Sequence, residues 1–263
     1  MKKRILIISI VLFLLNTQII AMIRIFTLLE KIERSNLIVL VEYANSYDTF
    51  ETGHKAKGGA RKYSRYVNYK VKEVLKGIYN KKILQIDYKI TNDTYEPFTC
   101  QAAVYPQAGE AAILFLEPGM IIFHGLQGKI DLRKHNEKSF IEGLKEIIKI
   151  ETINDDKLKA NKLVAAYYSK NKELKLMARD VIVDSWRLKE KEYGPVLVDV
   201  LGITENNPNI RALRYRAAKR LANTKAENAS EILTEYLNDK DPMVRKSCTE
   251  ALIELEKKKN SLK

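Results

Sequence analysis

The sequence predicts an α+β fold in two parts, a small antiparallel β-barrel followed by an α-helical solenoid. Three observations carry this expectation. Short runs of period two, split by turn residues, fill 37–132 and have the pattern of half-buried antiparallel strands. Beyond residue 155 the apolar period changes to that of helices. There one doublet pattern at i, i+1, i+4, i+5 occurs three times: Leu163-Val164/Tyr167-Tyr168, Val196-Leu197/Val200-Leu201 and Ile232-Leu233/Tyr236-Leu237. A second apolar stripe follows each, starting at Leu174, Ile210 and Val244, so the unit recurs about every 34 residues. A helix pair of that size cannot bury its apolar face alone and must stack on its neighbours.

The elements follow in order. Thr27 to Arg34 predicts a short amphipathic helix with Leu28, Leu29 and Ile32 on one side. Leu37 to Tyr43 is a strand rich in branched residues, broken by the basic glycine loop Gly53 to Gly59. Tyr66 to Leu75 alternates, with Val67, Tyr69 and Val71 facing one way and Asn68, Lys70 and Lys72 the other. Lys76-Gly77 stops it, and Leu84, Ile86, Tyr88 and Ile90 alternate again. Ala111 to Leu116 is a wholly apolar core strand turned by Pro118-Gly119, and Met120 to Phe123 and Lys129 to Leu132 supply two more. Glu137 to Ile150 is helical, with Phe140, Ile141, Leu144, Ile147 and Ile148 at helical spacing, and closes the first domain or bridges to the second. In the last unit Asp241 is a suitable N-cap and Pro242 fits the first helical turn, ahead of the stripe Val244, Cys248, Ala251, Leu252 and Leu255.

Length and composition bound the function. The 263 residues suffice for two compact domains. With 30% charged and 46% hydrophobic residues the balance is that of a globular chain and excludes wholesale disorder. The formal charge of +13 is spread over both halves, which is a solubility feature rather than a nucleic-acid footprint. Lys2-Lys3-Arg4 precedes an apolar run of 11 residues, Ile5 to Leu15, with Asn16-Thr17-Gln18 and Ala21 behind it. That is the layout of a secretory signal peptide, and the run is too short to span a bilayer. We therefore expect a signal peptide at 1–21, a β-barrel domain with flanking helices at 22–150, a helical repeat domain at 151–263, and a periplasmic or extracellular location. The alternative is an uncleaved anchor formed by Ile5 to Ile23, and membrane contact is expected only in that case. The two cysteines, Cys100 and Cys248, fall in different expected domains, so free thiols are the default and a bridge stays open.

Asp241-Pro242-Met243-Val244-Arg245 with Ala251-Leu252 resembles the second helix of a HEAT-like repeat, and Asn207-Pro208-Asn209-Ile210-Arg211 with Ala217-Ala218 looks like another copy. The resemblance covers about 155–256. It implies an architecture used for macromolecular binding, and structural roles for Arg211 and Arg245. The series Leu37–Tyr43, Tyr69–Gly77 and Gly109–Leu116 resembles exported bacterial domains similar to the netrin and tissue-inhibitor-of-metalloproteinases barrels. That likeness implies an OB-like fold over about 36–132. The animal inhibitors begin with a Cys that reaches the protease zinc. The start expected here, Met22-Ile23-Arg24, has none, so zinc-protease inhibition is not implied.

Candidate sites are few. Lys55, Lys57, Arg61, Lys62 and Arg65 crowd the loop after the first strand beside Tyr63 and Tyr66, and form a candidate anion-binding patch. A nucleotide P-loop is excluded, because Gly59-Ala60 stands where Gly-Lys-Ser/Thr is needed. Arg211, Arg214, Arg216, Lys219 and Arg220 share one helix and are expected on a charged outer face, neutralised by acids such as Asp180, Asp184 or Glu235. The three histidines, His54, His124 and His135, show no zinc-ligand spacing, so neither a metal nor another cofactor is expected. Glu110 and Glu117 flank a core strand without an evident carboxylate partner, and Tyr167 and Tyr168 are core positions first. No catalytic constellation emerges. The expectation is an exported, non-enzymatic binding or scaffold protein that meets a protein or envelope polymer, with nucleic acid not expected. Two alternatives stay open: a hydrolase or lyase using Cys100 with a histidine, and polyanion binding through the 53–65 loop.

Overall fold

The computed structural model describes residues 26–50, 62–91, 109–118, 121–122, 128–185, 189–205, 207–224 and 226–261. The expected signal peptide, most of the basic loop, Cys100, His54, His124 and Trp186 lie outside the described residues.

The first helix, α1 (Leu28–Arg34), is set by a capping box. Thr27 Oγ1 accepts from the Glu30 amide at 3.2 Å, and Glu30 Oε2 accepts from the Thr27 amide at 3.1 Å. Its buried face is Leu29 and Ile32. Six strands follow: β1 (Leu37–Phe50), β2 (Lys62–Lys76), β3 (Ile83–Thr91), β4 (Ala111–Glu117), β5 (Ile121–Ile122) and β6 (Lys129–Asp131). They form one antiparallel sheet in the order β3-β2-β1-β4-β5, with β6 also pairing with β4. The α+β class therefore stands. Among the described residues the sheet is open, and no pairing joins β3 to β5 or β6 to close a barrel. β1 and β2 both run longer than their hydrophobic cores, because the polar stretches 44–50 and 62–65 continue the same ladder.

Register explains the burial. Leu37 faces Leu116, Val39 faces Leu114 and Val41 faces Ala112, and these share one side of the sheet with Val67, Tyr69, Leu84 and Ile86. Ile38 faces Phe115 and Leu40 faces Ile113, and these four point to the helices. β1 and β4 are thus buried on both faces, which is why their alternation is masked by a continuous apolar run. β2 keeps the alternation, with Val67 and Tyr69 buried and Lys70 and Lys72 exposed. Register shifts at Ile38/Val39, Leu40/Val41 and Tyr43/Asn45 give β1 the added twist of bulged strands. Gly77 ends β2 with φ +84, and a Cβ there would sit 2.3 Å from the Asn36 carbonyl oxygen.

Among the described residues seven more α-helices follow: α2 (Glu137–Glu151), α3 (Asp156–Tyr167), α4 (Lys172–Asp184), α5 (Gly194–Leu201), α6 (Pro208–Leu221), α7 (Ala229–Glu235) and α8 (Pro242–Ser261). The even-numbered helices pack in sequence, α2 on α4, α4 on α6 and α6 on α8, while α3, α5 and α7 lie against them. Asn136, Asn171 and Asn207 cap α2, α4 and α6 by accepting from the amides of Ser139, Leu174 and Ile210. Asp241 does the same for the Met243 amide at the head of α8. Gly143 allows α2 to come close to α4, since a Cβ there would lie 3.1 Å from the Leu174 amide nitrogen. One apolar cluster runs from Phe26 through the sheet face and all of these helices to Ala251. The middle doublet is fully buried at Val196, Leu197, Val200 and Leu201. The outer doublets are looser, and Tyr168 is 54% exposed, which corrects its reading as a core position. Its hydroxyl donates to Asp199 at 2.9 Å, a bond that keeps the ring at the surface.

Candidate functional site

The row α4-α6-α8 carries the densest arrangement of charged side chains that has a clear geometric order. Arg216 on α6 pairs with Asp184 on α4 at 2.7 Å. Lys219, one turn further, pairs with Glu250 on α8 at 3.0 Å and lies 4.8 Å over the Tyr215 ring. Arg211 at the start of α6 sits 3.9 Å from Asp241, and Arg245 donates to the carbonyls of Asp239 and Lys240. Arg211 thus lies near a carboxylate, while Arg245 binds backbone carbonyls. Asp184 neutralises part of the cationic row, as expected. Burial pushes the Asp184 carboxyl above its ordinary range even with Arg216 beside it.

Two members of that row are not on an outer face. Arg214 is 8% exposed and Arg220 is 4% exposed, which corrects the expectation of a solvated helix surface. Arg214 is satisfied: its Nε donates to the Leu201 carbonyl at 2.7 Å and its fork grips Asp239. Arg220 is not. Its Nε donates to the Ile182 carbonyl at 3.2 Å, while both terminal nitrogens are shut away from solvent without a hydrogen-bond partner. Burial lowers the Arg220 pKa to about 10, only partly offset by the nearby Tyr193. The Tyr193 hydroxyl is itself buried without a partner, and burial drives its pKa upward.

Arg220 also lines a cleft of about 560 Å³ between the start of α1 and the ends of α4 and α6. Phe26, Leu28 and Val183 give it apolar walls, and Thr27, Asn223, Asp180, Asp184, Arg216 and Lys219 form its polar parts. The cleft thus offers an apolar surface beside the Arg216–Asp184 ion pair, while the Arg220 terminal nitrogens are enclosed.

A second cleft, of about 410 Å³, brings together Glu110, Arg133, His135 and Glu137. Glu110 is buried against Lys129, with Arg133 at 3.8 Å. Arg133 also forks onto Asp131, whose pKa that hydrogen bonding holds down to about 2. His135 Nδ1 lies 3.4 Å from Glu173, and its ring stacks at 4.4 Å on Phe140. Glu110 is thus matched with cations rather than with a second carboxylate for general acid–base work.

Of the anion-patch residues, Lys62 and Arg65 lie on β2, opposite Thr91 and Tyr88 of β3. Lys55, Lys57 and Arg61 lie outside the described residues. Cys248 is a buried free thiol, and burial pushes its pKa up to about 11. Among the described residues no group of three or more His, Cys, Asp and Glu side chains is placed to hold a metal ion, and no helix is long and apolar enough to cross a membrane. No family model, no curated protein and no solved structure matches the chain.

Proposed function

We propose that this protein is a non-enzymatic binding or scaffold module, exported to the periplasm or beyond, that meets a protein or envelope polymer through the side of its helical row. The observation that supports this most is the packing order, with α2, α4, α6 and α8 adjacent in sequence and α3, α5 and α7 against them. A stacked HEAT-like repeat is built this way, and such a stack offers a long lateral surface rather than a deep reactive cavity. Half-exposed charges at Arg216 and Lys219 on α6 and at Glu250 on α8 extend across two helices of that surface. An OB-like barrel at the N-terminal end fits the same reading as a platform.

The test is retention on immobilised protein from an envelope extract at several salt concentrations, against an Arg216→Glu, Lys219→Glu double variant. A defined protein or polymer held by the wild type and released by the variant supports the reading. Failure to retain either, together with turnover of a small substrate, overturns it.

A further inference from the structure

The sheet carries an exposed row of amides that the helical stack does not use. Asn45, Asn68 and Gln85 stand directly opposite one another on β1, β2 and β3. Val67 and Tyr69 are buried on the other side, so the row lies on the face that carries Ile38 and Leu40 against the helices. At the far end of the β1–β2 ribbon that face is open. Asn45 and Gln85 are exposed there, Asn68 is half-buried, and Tyr47 is 47% exposed.

The row is fixed by its own hydrogen bonds. Asn68 Nδ2 donates to Asn45 Oδ1 at 2.7 Å, and Gln85 Nε2 donates to Asn68 Oδ1 at 3.1 Å and to the Tyr47 hydroxyl at 2.9 Å. The Tyr47 ring stacks on Tyr66 at 5.2 Å, with 20° between the planes. Asn45 Nδ2 and Gln85 Oε1 keep their hydrogen-bonding capacity, since among the described residues neither has a partner. A braced ring beside fixed donors and acceptors costs a ligand little ordering entropy.

The chemistry of the face narrows the ligand. Asn45, Tyr47, Tyr66, Asn68 and Gln85 are all neutral, and the neighbouring Lys70 and Lys72 are matched by Glu42 at 3.8 and 2.5 Å. A polyanion therefore finds no free cation in the row. The apolar side chains of a peptide find no floor, because Val67, Leu84 and Ile86 are buried on the opposite face. A pyranose complements the row: its hydroxyls both donate and accept, and its C–H face packs on an aromatic ring. Two strand spacings give the row a length of about 10 Å, the span of about two linked sugars.

We propose that this face is a binding platform for a neutral oligosaccharide, with one pyranose laid against the Tyr47 ring and hydroxyls of the chain bonded to Asn45 Nδ2 and Gln85 Oε1. The platform lies on the sheet rather than on the helical row and does not depend on binding at that row.

Calorimetric titration of the full chain with maltotetraose, cellotetraose and chitotetraose tests the proposal. At least one should bind, with an affinity that changes less than about twofold between about 50 and about 500 mM salt, because no ion pair is made. Tyr47→Ala and Gln85→Ala should each weaken it by about tenfold or more. Tyr168→Ala, which removes a comparably exposed ring at the end of α3, should leave it unchanged, as should the Arg216→Glu, Lys219→Glu double variant. Circular dichroism checks that these surface variants stay folded. Absence of binding by all three sugars at about 10 mM, affinity lost on adding salt, or unchanged affinity in folded Tyr47→Ala or Gln85→Ala would each overturn it. Self-association of the wild type that Tyr47→Ala abolishes would overturn it as well, by making a second copy the occupant of the face.

Discussion

Arg214 holds Asp239 with both terminal nitrogens, Nη1 to Oδ1 at 3.2 Å and Nη2 to Oδ2 at 2.5 Å. With its Nε on the Leu201 carbonyl, this one side chain ties the end of α5 and the body of α6 to the connection between α7 and α8. Asp239 in turn accepts from the Asp241 amide at 2.8 Å. Cys248 stands 34 residues after Arg214, so the residue at the matching place of the sequence pattern on α8 cannot form such a fork.

Removing one partner of this pair should cost more than removing both. Arg214→Met leaves Asp239 with the Asp241 amide alone, takes the side-chain donor from the Leu201 carbonyl, and is expected to lose about 3 kcal/mol. Arg214→Met combined with Asp239→Asn should lose less than the sum of the two single changes. Urea denaturation of the four proteins in a double-mutant cycle measures the coupling. Additive losses would mean the fork is not a stabilising contact.

The same pair sets a pH dependence. Burial alone would raise the Asp239 pKa, but the Arg214 hydrogen bond, the Asp241 amide and the charges of Arg214 and Arg245 outweigh it and leave it lowered. A carboxylate with a lowered folded pKa contributes stability that is present above the ordinary unfolded value of ~3.9 and is lost as pH falls through the folded value. The urea midpoint of the wild type should therefore drop between about pH 6 and about pH 3 by more than that of Asp239→Asn. An equal drop in both would remove Asp239 from the account.

Val244 is fully buried between α8 and α6. Val244→Asp should cost roughly 3 kcal/mol or more, by leaving an unpaired charge where there is no water. Thermal or urea unfolding checks this, and a loss typical of a surface substitution would contradict the packing of α8 on α6.

Cys248 should be inert in the folded protein. Its thiol is buried and its pKa is pushed up to about 11, so almost no thiolate exists near neutral pH. Iodoacetamide labelling followed by peptide mapping should show Cys248 modified only after denaturation. Rapid native labelling would place the sulfur at the surface.

Much of the helical part was legible because its stripes obey a single period. Val244, Cys248, Ala217, Ala218 and Leu221 are all buried where the pattern put them. The membership of α2 in the row was missed, although a signal existed. Asn136, Asn171, Asn207 and Asp241 stand 35, 36 and 34 residues apart, and the helix after the first of these was read as closing the first domain or bridging to the second. Tyr168 was misjudged because helical spacing alone does not tell which ring of the doublet reaches the surface, where its hydroxyl meets Asp199. The burial of Arg214 and Arg220 was hidden for a different reason. Five cations in ten residues look solvated, and only the docking of the neighbouring helices decides which of them are enclosed. The cleft beside α1 joins residues about 150 to 200 positions apart and left no local trace in the chain.

The caps of the helical row do more than start helices. Asn171 Oδ1 accepts from the Ser139 hydroxyl at 2.7 Å and its Nδ2 donates to the Ser139 carbonyl at 3.1 Å, so the head of α4 is latched to the first turn of α2. Arg211 and Asp241 repeat the latch between α6 and α8 by charge. Fraying at one head thus loosens its neighbour. Hydrogen exchange at the heads of α2 and α4, and at those of α6 and α8, should then be concerted within each pair, with paired amides opening at a common rate instead of each helix melting on its own schedule.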